Sequence, residues 1–198
     1  MFSIRFSAGM MTTLLCHRLF LAFRPPLALV AAIGRWRDVT GAGTAVVADD
    51  RLHMTALMLG NFQHTPTDLI ARIADVLSRS MLCRCRIVLD MLVGGPGTTL
   101  LVPSEPLRGM EAVQARLAAL VAHAGIAPAP WWRFSPHMTL HYDSGERGQQ
   151  PIDPISWTAT ELVLIESLVG QSRHLTRGRW RLIDRQPIEC TDAGKDDS

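Results

Sequence analysis

Two short triplets in this 198-residue chain carry the residue types that proton-transfer chemistry needs: His53-Met54-Thr55 and His137-Met138-Thr139. An imidazole titrates near neutral pH, so one such group can take a proton while a second gives one. A threonine hydroxyl next to each imidazole can donate a hydrogen bond to an oxygen on which charge develops. Cleavage of a phosphodiester calls for this set: a base for the attacking water, an acid for the leaving oxygen, and donors for the non-bridging oxygens. No metal is required. One H-x-T triplet would mean little, because a lone buried histidine is more often structural. The second copy, with the matching flanks Leu-His-Met-Thr-Ala-Leu and Pro-His-Met-Thr-Leu-His, makes the pair informative.

Both triplets lie in apolar, strand-like runs, where side chains at i and i+2 share a face. Alternation therefore predicts His53, Thr55 and Leu57 on one face, with Leu52, Met54, Ala56 and Met58 on the other. It likewise predicts His137, Thr139 and His141 together, opposite Met138 and Leu140. Trp131-Trp132 and Arg133 precede the second triplet. An aromatic ring there could stack a base, although packing is the plainer reading, and Arg133, like Arg51 or Arg173, could contact an RNA phosphate. Three groove-facing histidines could hold a metal, but no acidic partner recurs beside them. Gly94-Gly95-Pro96-Gly97 lacks the lysine and hydroxyl of a phosphate loop and reads as a turn.

The elements that must hold these triplets follow from apolar spacing. Arg18 to Phe23 reads as a buried strand ending at Pro25-Pro26, and Leu27 to Val39 has helical spacing. Leu52 to Leu59 is strand-like, and a helix begins near Thr65-Pro66. Arg86 to Val93 and Thr98 to Val102 form a hairpin, and a helix runs from Pro106 towards Gly125. Ser135 to Tyr142 is a further strand, residues 144–154 read as a polar loop, and Trp157 to Val169 with His174 to Ile183 form a final strand pair. The order is an α+β pattern with a weak internal repeat, one H-x-T strand in each half.

Composition agrees with a folded enzyme-sized chain: 47% of residues are hydrophobic and 19% charged, whereas disorder needs the reverse. A net charge of +2 argues against nonspecific duplex binding, but the basic residues are arginine save for Lys195, and arginine suits bidentate phosphate contacts. Cys16, Cys83, Cys85 and Cys190 are scattered and are expected as reduced thiols, which fits a cytoplasmic protein. Residues 1–16 are expected to be a poorly ordered leader, 17–184 the folded domain and 185–198 a polar tail. No apolar run is long enough to predict a membrane span.

The chain resembles the two-histidine phosphoesterase superfamily, and within it the 2′-5′ RNA ligase-like branch of bacterial RNA 2′,3′-cyclic phosphodiesterases. The resemblance rests on Arg18-Leu19-Phe20-Leu21-Ala22-Phe23, on Leu52 to Gly60, on Phe134 to Leu140, and on Glu161 to Ser167. It implies two pseudo-symmetric α+β lobes, each with an antiparallel sheet and helices, with the sheets facing a central cleft. It implies opening of 2′,3′-cyclic phosphates to 2′-phosphomonoesters, with reversible 2′-5′ ligation of RNA ends such as tRNA halves. It assigns His137 as the base that activates water and His53 as the acid, with Thr55 and Thr139 on the phosphate. His141, Trp131 and Arg133 are the further candidates for substrate contact. His141-Tyr142 stand where the family often has a small residue followed by an arginine. No cofactor is expected, and the anticipated partners are RNA ends or cyclic nucleotides bound by a monomer. Two alternatives remain: a phosphodiesterase for another small cyclic phosphate such as an ADP-ribose derivative, and a non-catalytic nucleotide- or RNA-binding module.

Overall fold

A computed structural model describes residues 16–39, 45–95, 97–142 and 148–184. The expected leader lies outside these residues but for Cys16, and the expected tail lies wholly outside them. Nine strands and three α-helices follow one another along the described chain: β1 (Cys16–Phe23), α1 (Leu27–Val39), β2 (Ala45–Val46), β3 (Met54–Phe62), α2 (Thr67–Ser78), β4 (Cys85–Gly95), β5 (Thr98–Val102), α3 (Arg108–His123), β6 (Met138–Tyr142), β7 (Gly148–Ala159), β8 (Glu161–Val169) and β9 (Arg173–Arg181). They form two sheets, one in the order β3-β1-β8-β9 and one in the order β2-β6-β5-β4-β7, with antiparallel pairing throughout. This is the expected α+β architecture, with one H-x-T strand in each sheet.

The central strands β1 and β8 are nearly continuous apolar runs because both of their faces are covered. One face contributes Leu19, Leu21 and Phe23 to the main core, which continues through Ile87 and Leu89 of β4 to Leu117 and Val121 of α3. The other face contributes Phe20, Ala22, Val163 and Ile165 to a small separate cluster with Met58 and Ala129. Helix α3 packs on both β3 and β4 and so ties the sheets together. It stops at Gly125, whose left-handed φ of 68° lets its N–H and that of Ile126 return to the carbonyls of Ala122 and Val121, each at 2.9 Å.

The core also encloses a carboxylate. Glu166 of β8 is fully buried. It accepts hydrogen bonds from His17 of β1, Arg177 of β9 and the Thr65 hydroxyl, the last at 2.8 Å. Burial alone would raise the carboxyl pKa, but these three donors outweigh it and hold the group below its usual range.

Two sequence expectations are corrected here. Residues 148–154 are not loop: they open β7, which pairs with β4 from Gly148↔Gly94 to Ala159↔Cys85. β7 is an edge strand, where Pro151 and Pro154 cost no shared ladder bond on the open side, so the prolines misled the reading. The simple face assignment of the motif strands also fails. In β3, Ala22 pairs with Thr55 but Leu21 pairs with Leu57, leaving Ala56 as an extra residue. In β6, Leu100 pairs with Thr139 but Thr99 pairs with His141, leaving Leu140 as an extra residue. Each bulge resets the alternation.

Candidate active site

Each motif histidine sits one residue ahead of its strand, at the point where the backbone enters the sheet. Both are oriented the same way. His53 Nδ1 bonds the Arg51 carbonyl at 2.6 Å, and His137 Nδ1 bonds the Ser135 carbonyl at 2.7 Å. A carbonyl only accepts, so Nδ1 carries the proton in both rings and Nε2 is left as the nitrogen free for chemistry. The two imidazoles and the two hydroxyls, Thr55 and Thr139, line one cleft of about 240 Å³. The arrangement has two proton carriers and two hydroxyl donors around one space, which is what in-line displacement at phosphorus requires.

The bulges decide what else enters the cleft. After Thr55, Ala56 and Leu57 both turn into the core and Met58 lines the cleft. After Thr139, Leu140 and His141 are both buried and Tyr142 lines the cleft. The two motifs are thus equivalent at the first, third and sixth positions. The expectation that Leu57 shares the face of His53 is corrected by this geometry. So is the expectation that His141 contacts substrate: it is 1% exposed, and its Nε2 donates to the Arg37 carbonyl of α1 at 2.7 Å.

The residues ahead of the second motif are also placed differently from expectation. Trp131 is exposed and lies outside the cleft lining, while its neighbour Trp132 lines it. The backbone folds back here, with Trp132 N–H on the Ala129 carbonyl and Ala129 N–H on the Met58 carbonyl. Arg133 is outside the lining as well; its guanidinium donates to the carbonyls of Pro130 and Trp132 and braces the same loop.

Four lining residues had no signal within either motif. Arg18 and Phe20 alternate along β1, and Ser167 of β8 pairs with both Arg18 and His174 of β9. The Arg18 guanidinium is steadied by Asn61 at 3.0 Å. Arg18 and Phe20 share parity with Ala22 along β1, which strand alternation could have revealed; the places of Ser167 and His174 depend on a register that only the assembled sheet supplies.

His53 and His174 share a pocket of rings. Their centroids are 5.3 Å apart and edge-on, and Phe20 lies 4.9 Å from His53 and 5.7 Å from His174. Burial pushes the His53 pKa down to about 4, with His137, Arg24 and Arg51 adding to the effect. Burial also pushes the His174 pKa down to about 3, with His53, Arg24 and Arg51 adding to it. Both rings are therefore neutral at physiological pH in the free protein. A larger pocket of about 340 Å³ between α3 and the segment before β4 is lined by Met81, Cys83, Arg84 and Arg116 among others, but holds no histidine or carboxylate among the described residues and so cannot run this chemistry.

The sequence model of the 2′-5′ RNA ligase superfamily matches residues 25–171. Among solved structures, the chain is similar to Escherichia coli LigT complexed with 3′-AMP, at 25% identity and a TM-score of 0.69, over 85% of this chain and 98% of that one. It is similar to the same protein complexed with NADP+, at 26% identity and a TM-score of 0.68, over 85% and 98% of the two chains. The TT0787 protein of Thermus thermophilus has the same fold, with 20% identity, a TM-score of 0.68, and coverage of 85% and 100%. No curated protein sequence matches the chain.

Proposed function

The chain belongs to the 2′-5′ RNA ligase superfamily of two-histidine phosphoesterases, and on that premise we propose that it opens 2′,3′-cyclic phosphates at RNA ends or on nucleotides to 2′-phosphomonoesters without a metal. The family and fold support phosphodiesterase or ligase-type chemistry. The observation that carries the finer reading is the paired setting of His53 and His137, each with Nδ1–H tied to the carbonyl two residues upstream and Nε2 free, in a cleft that Thr55 and Thr139 also line. LigT has been solved with 3′-AMP and with NADP+, which supports a nucleotide as the ligand here.

In this mechanism His137 Nε2 takes a proton from water, whose oxygen attacks phosphorus. The bond from phosphorus to the 3′ oxygen breaks, and His53 delivers a proton to that oxygen. The product is a 2′-phosphomonoester and a free 3′ hydroxyl. His53 is neutral in the free protein because it is buried. A bound phosphodiester anion favours the imidazolium, so His53 becomes an acid only when substrate is present. Thr55 and Thr139 donate to the non-bridging oxygens, and Trp132 and Phe20 offer apolar surface to the nucleoside.

Product analysis on an oligonucleotide ending in a 2′,3′-cyclic phosphate, in excess EDTA, tests this. The expected product is the 2′-phosphomonoester, with turnover unchanged by the chelator. Loss of all activity in EDTA would overturn the metal-free mechanism. Nucleotide binding without any product would favour the binding-module reading instead. Turnover confined to other cyclic phosphates would move the substrate class.

A further inference from the structure

Arg24 follows the last residue of β1, where Ala22 pairs with Thr55 and Phe23 with Met54. One more step of that register sets Arg24 beside His53, on the face that Ala22 and Thr55 share. Directly opposed residues on neighbouring strands are about 5 Å apart. Arg51 lies two residues before His53 in a short 3-10 turn, and its carbonyl is the one that orients the His53 ring. Two guanidinium side chains therefore flank the same imidazole.

Among the described residues, neither is paired with an acid. Arg24 and Arg51 each have a buried Nε with no hydrogen-bond partner. Arg51 donates through Nη2 to the Val46 carbonyl, at 3.2 Å. The carboxylates that act on Arg24 are Asp50 and Glu161, and Glu161 is bonded by Arg179 at 2.7 Å. Arg179 adds a third positive charge rather than relief. Burial, and after it Arg179, push the Arg24 pKa down. A partly buried cation among like charges, with no ion-pair partner, is costly to keep. The arrangement makes sense when an anion completes it, and guanidinium groups match phosphate oxygens in a bidentate way.

The site is distinct from the place where the reacting phosphate would sit. The four motif side chains, Arg18 and Ser167 line the cleft, whereas Arg24 and Arg51 flank His53 and are outside that lining. We propose that Arg24 and Arg51 form a second phosphate subsite, which takes the phosphate on the 5′ side of the nucleotide whose cyclic phosphate is opened. The proposal rests on the reading of the cleft as a cyclic phosphodiesterase site, and it makes the substrate an RNA end or a 5′-phosphorylated nucleotide rather than a bare cyclic nucleoside phosphate.

The test compares a nucleoside 2′,3′-cyclic phosphate with its 5′-phosphorylated counterpart at one ionic strength. Wild type is expected to show at least a tenfold higher kcat/KM for the 5′-phosphorylated substrate. In Arg24→Gln, and independently in Arg51→Gln, the two substrates should come within about twofold of each other, while Arg24→Lys keeps part of the preference. A wild-type ratio near one, or a preference retained in both glutamine variants, would overturn the subsite. Calorimetric titration with adenosine 3′-monophosphate and adenosine 3′,5′-bisphosphate reads the subsite apart from turnover. If no cyclic substrate is opened, the functional reading fails; tighter binding of the bisphosphate that Arg24→Gln abolishes would still support the subsite, and equal affinities would overturn it.

Discussion

The two motif strands, β3 and β6, share spacing, histidine orientation and a bulge at the same step, yet they sit in different surroundings. β3 is an edge strand of the four-stranded sheet, and β6 lies between β2 and β5 in the other. His53 is enclosed by the rings of Phe20 and His174, whereas no ring packs on His137 among the described residues. At the sixth position the first motif presents Met58, almost fully buried in an apolar cluster, and the second presents Tyr142, 46% exposed. Repetition of a motif thus fixes geometry, while burial in the first copy holds the His53 imidazole neutral in the free protein. In the proposed mechanism, two identical triplets serve as an acid and a base.

The largest expected effect comes from removing either imidazole. His53→Ala and His137→Ala should each lower kcat on a 2′,3′-cyclic nucleotide by about 10²- to 10⁴-fold, the usual range for a lost general acid or base. Near-wild-type turnover in either variant, with folding verified by circular dichroism, would break the proposed division of labour. A smaller effect sharpens the contrast at the sixth position. Tyr142→Arg places a guanidinium in the cleft, and a charge-assisted hydrogen bond worth about 1.5–3 kcal/mol should lower KM by about tenfold or more. An unchanged KM in steady-state assays would mean that this position does not reach the phosphate.

The smallest effect is on stability. The pKa of His174 is about 3 in the folded protein and about 6.5 in an unfolded chain. The unfolded state therefore holds more protons between these values, and stability falls as pH drops below about 6.5. His53 acts in the same direction, down to about 4. Denaturant titrations at pH 7 and pH 5 should show His174→Asn losing about 1 kcal/mol less than wild type over that interval, roughly half of the full linkage of about 2 kcal/mol because solvent partly screens the ring. Equal losses would indicate that His174 is solvated and not part of the enclosed ring cluster.

What the sequence made legible was local. The span of α1, the hairpin of β4 and β5, the strand nature of both motifs and the two His-Thr pairs follow from periodicity and punctuation within a few residues. What it hid was pairing. Ala56 and Leu140 look like ordinary alternating residues until a neighbouring strand shows that each is one too many. Alternation alone therefore puts His141 in the cleft and leaves Tyr142 out, the reverse of what the bulge does. His174 lacks any motif because its place comes from β8 and β9 coming into register. Trp131 and Trp132 are adjacent in sequence, and only the turn onto Ala129 decides which of them faces the cleft.

The extra residue in each motif strand also separates two design problems along one backbone. Upstream of it, side chains answer to the reaction; downstream, a shifted phase lets the strand answer to its neighbours. Deleting Ala56 would only remove the bulge, with Leu57 still facing the core and Met58 the cleft, whereas deleting Met54 would turn His53 away from the face of Thr55. The proposed chemistry would then be lost without a proton-carrying atom being touched. The bulge is in this sense a phase boundary: substitutions on either side can accumulate independently so long as the spacing from His53 to Thr55 is kept.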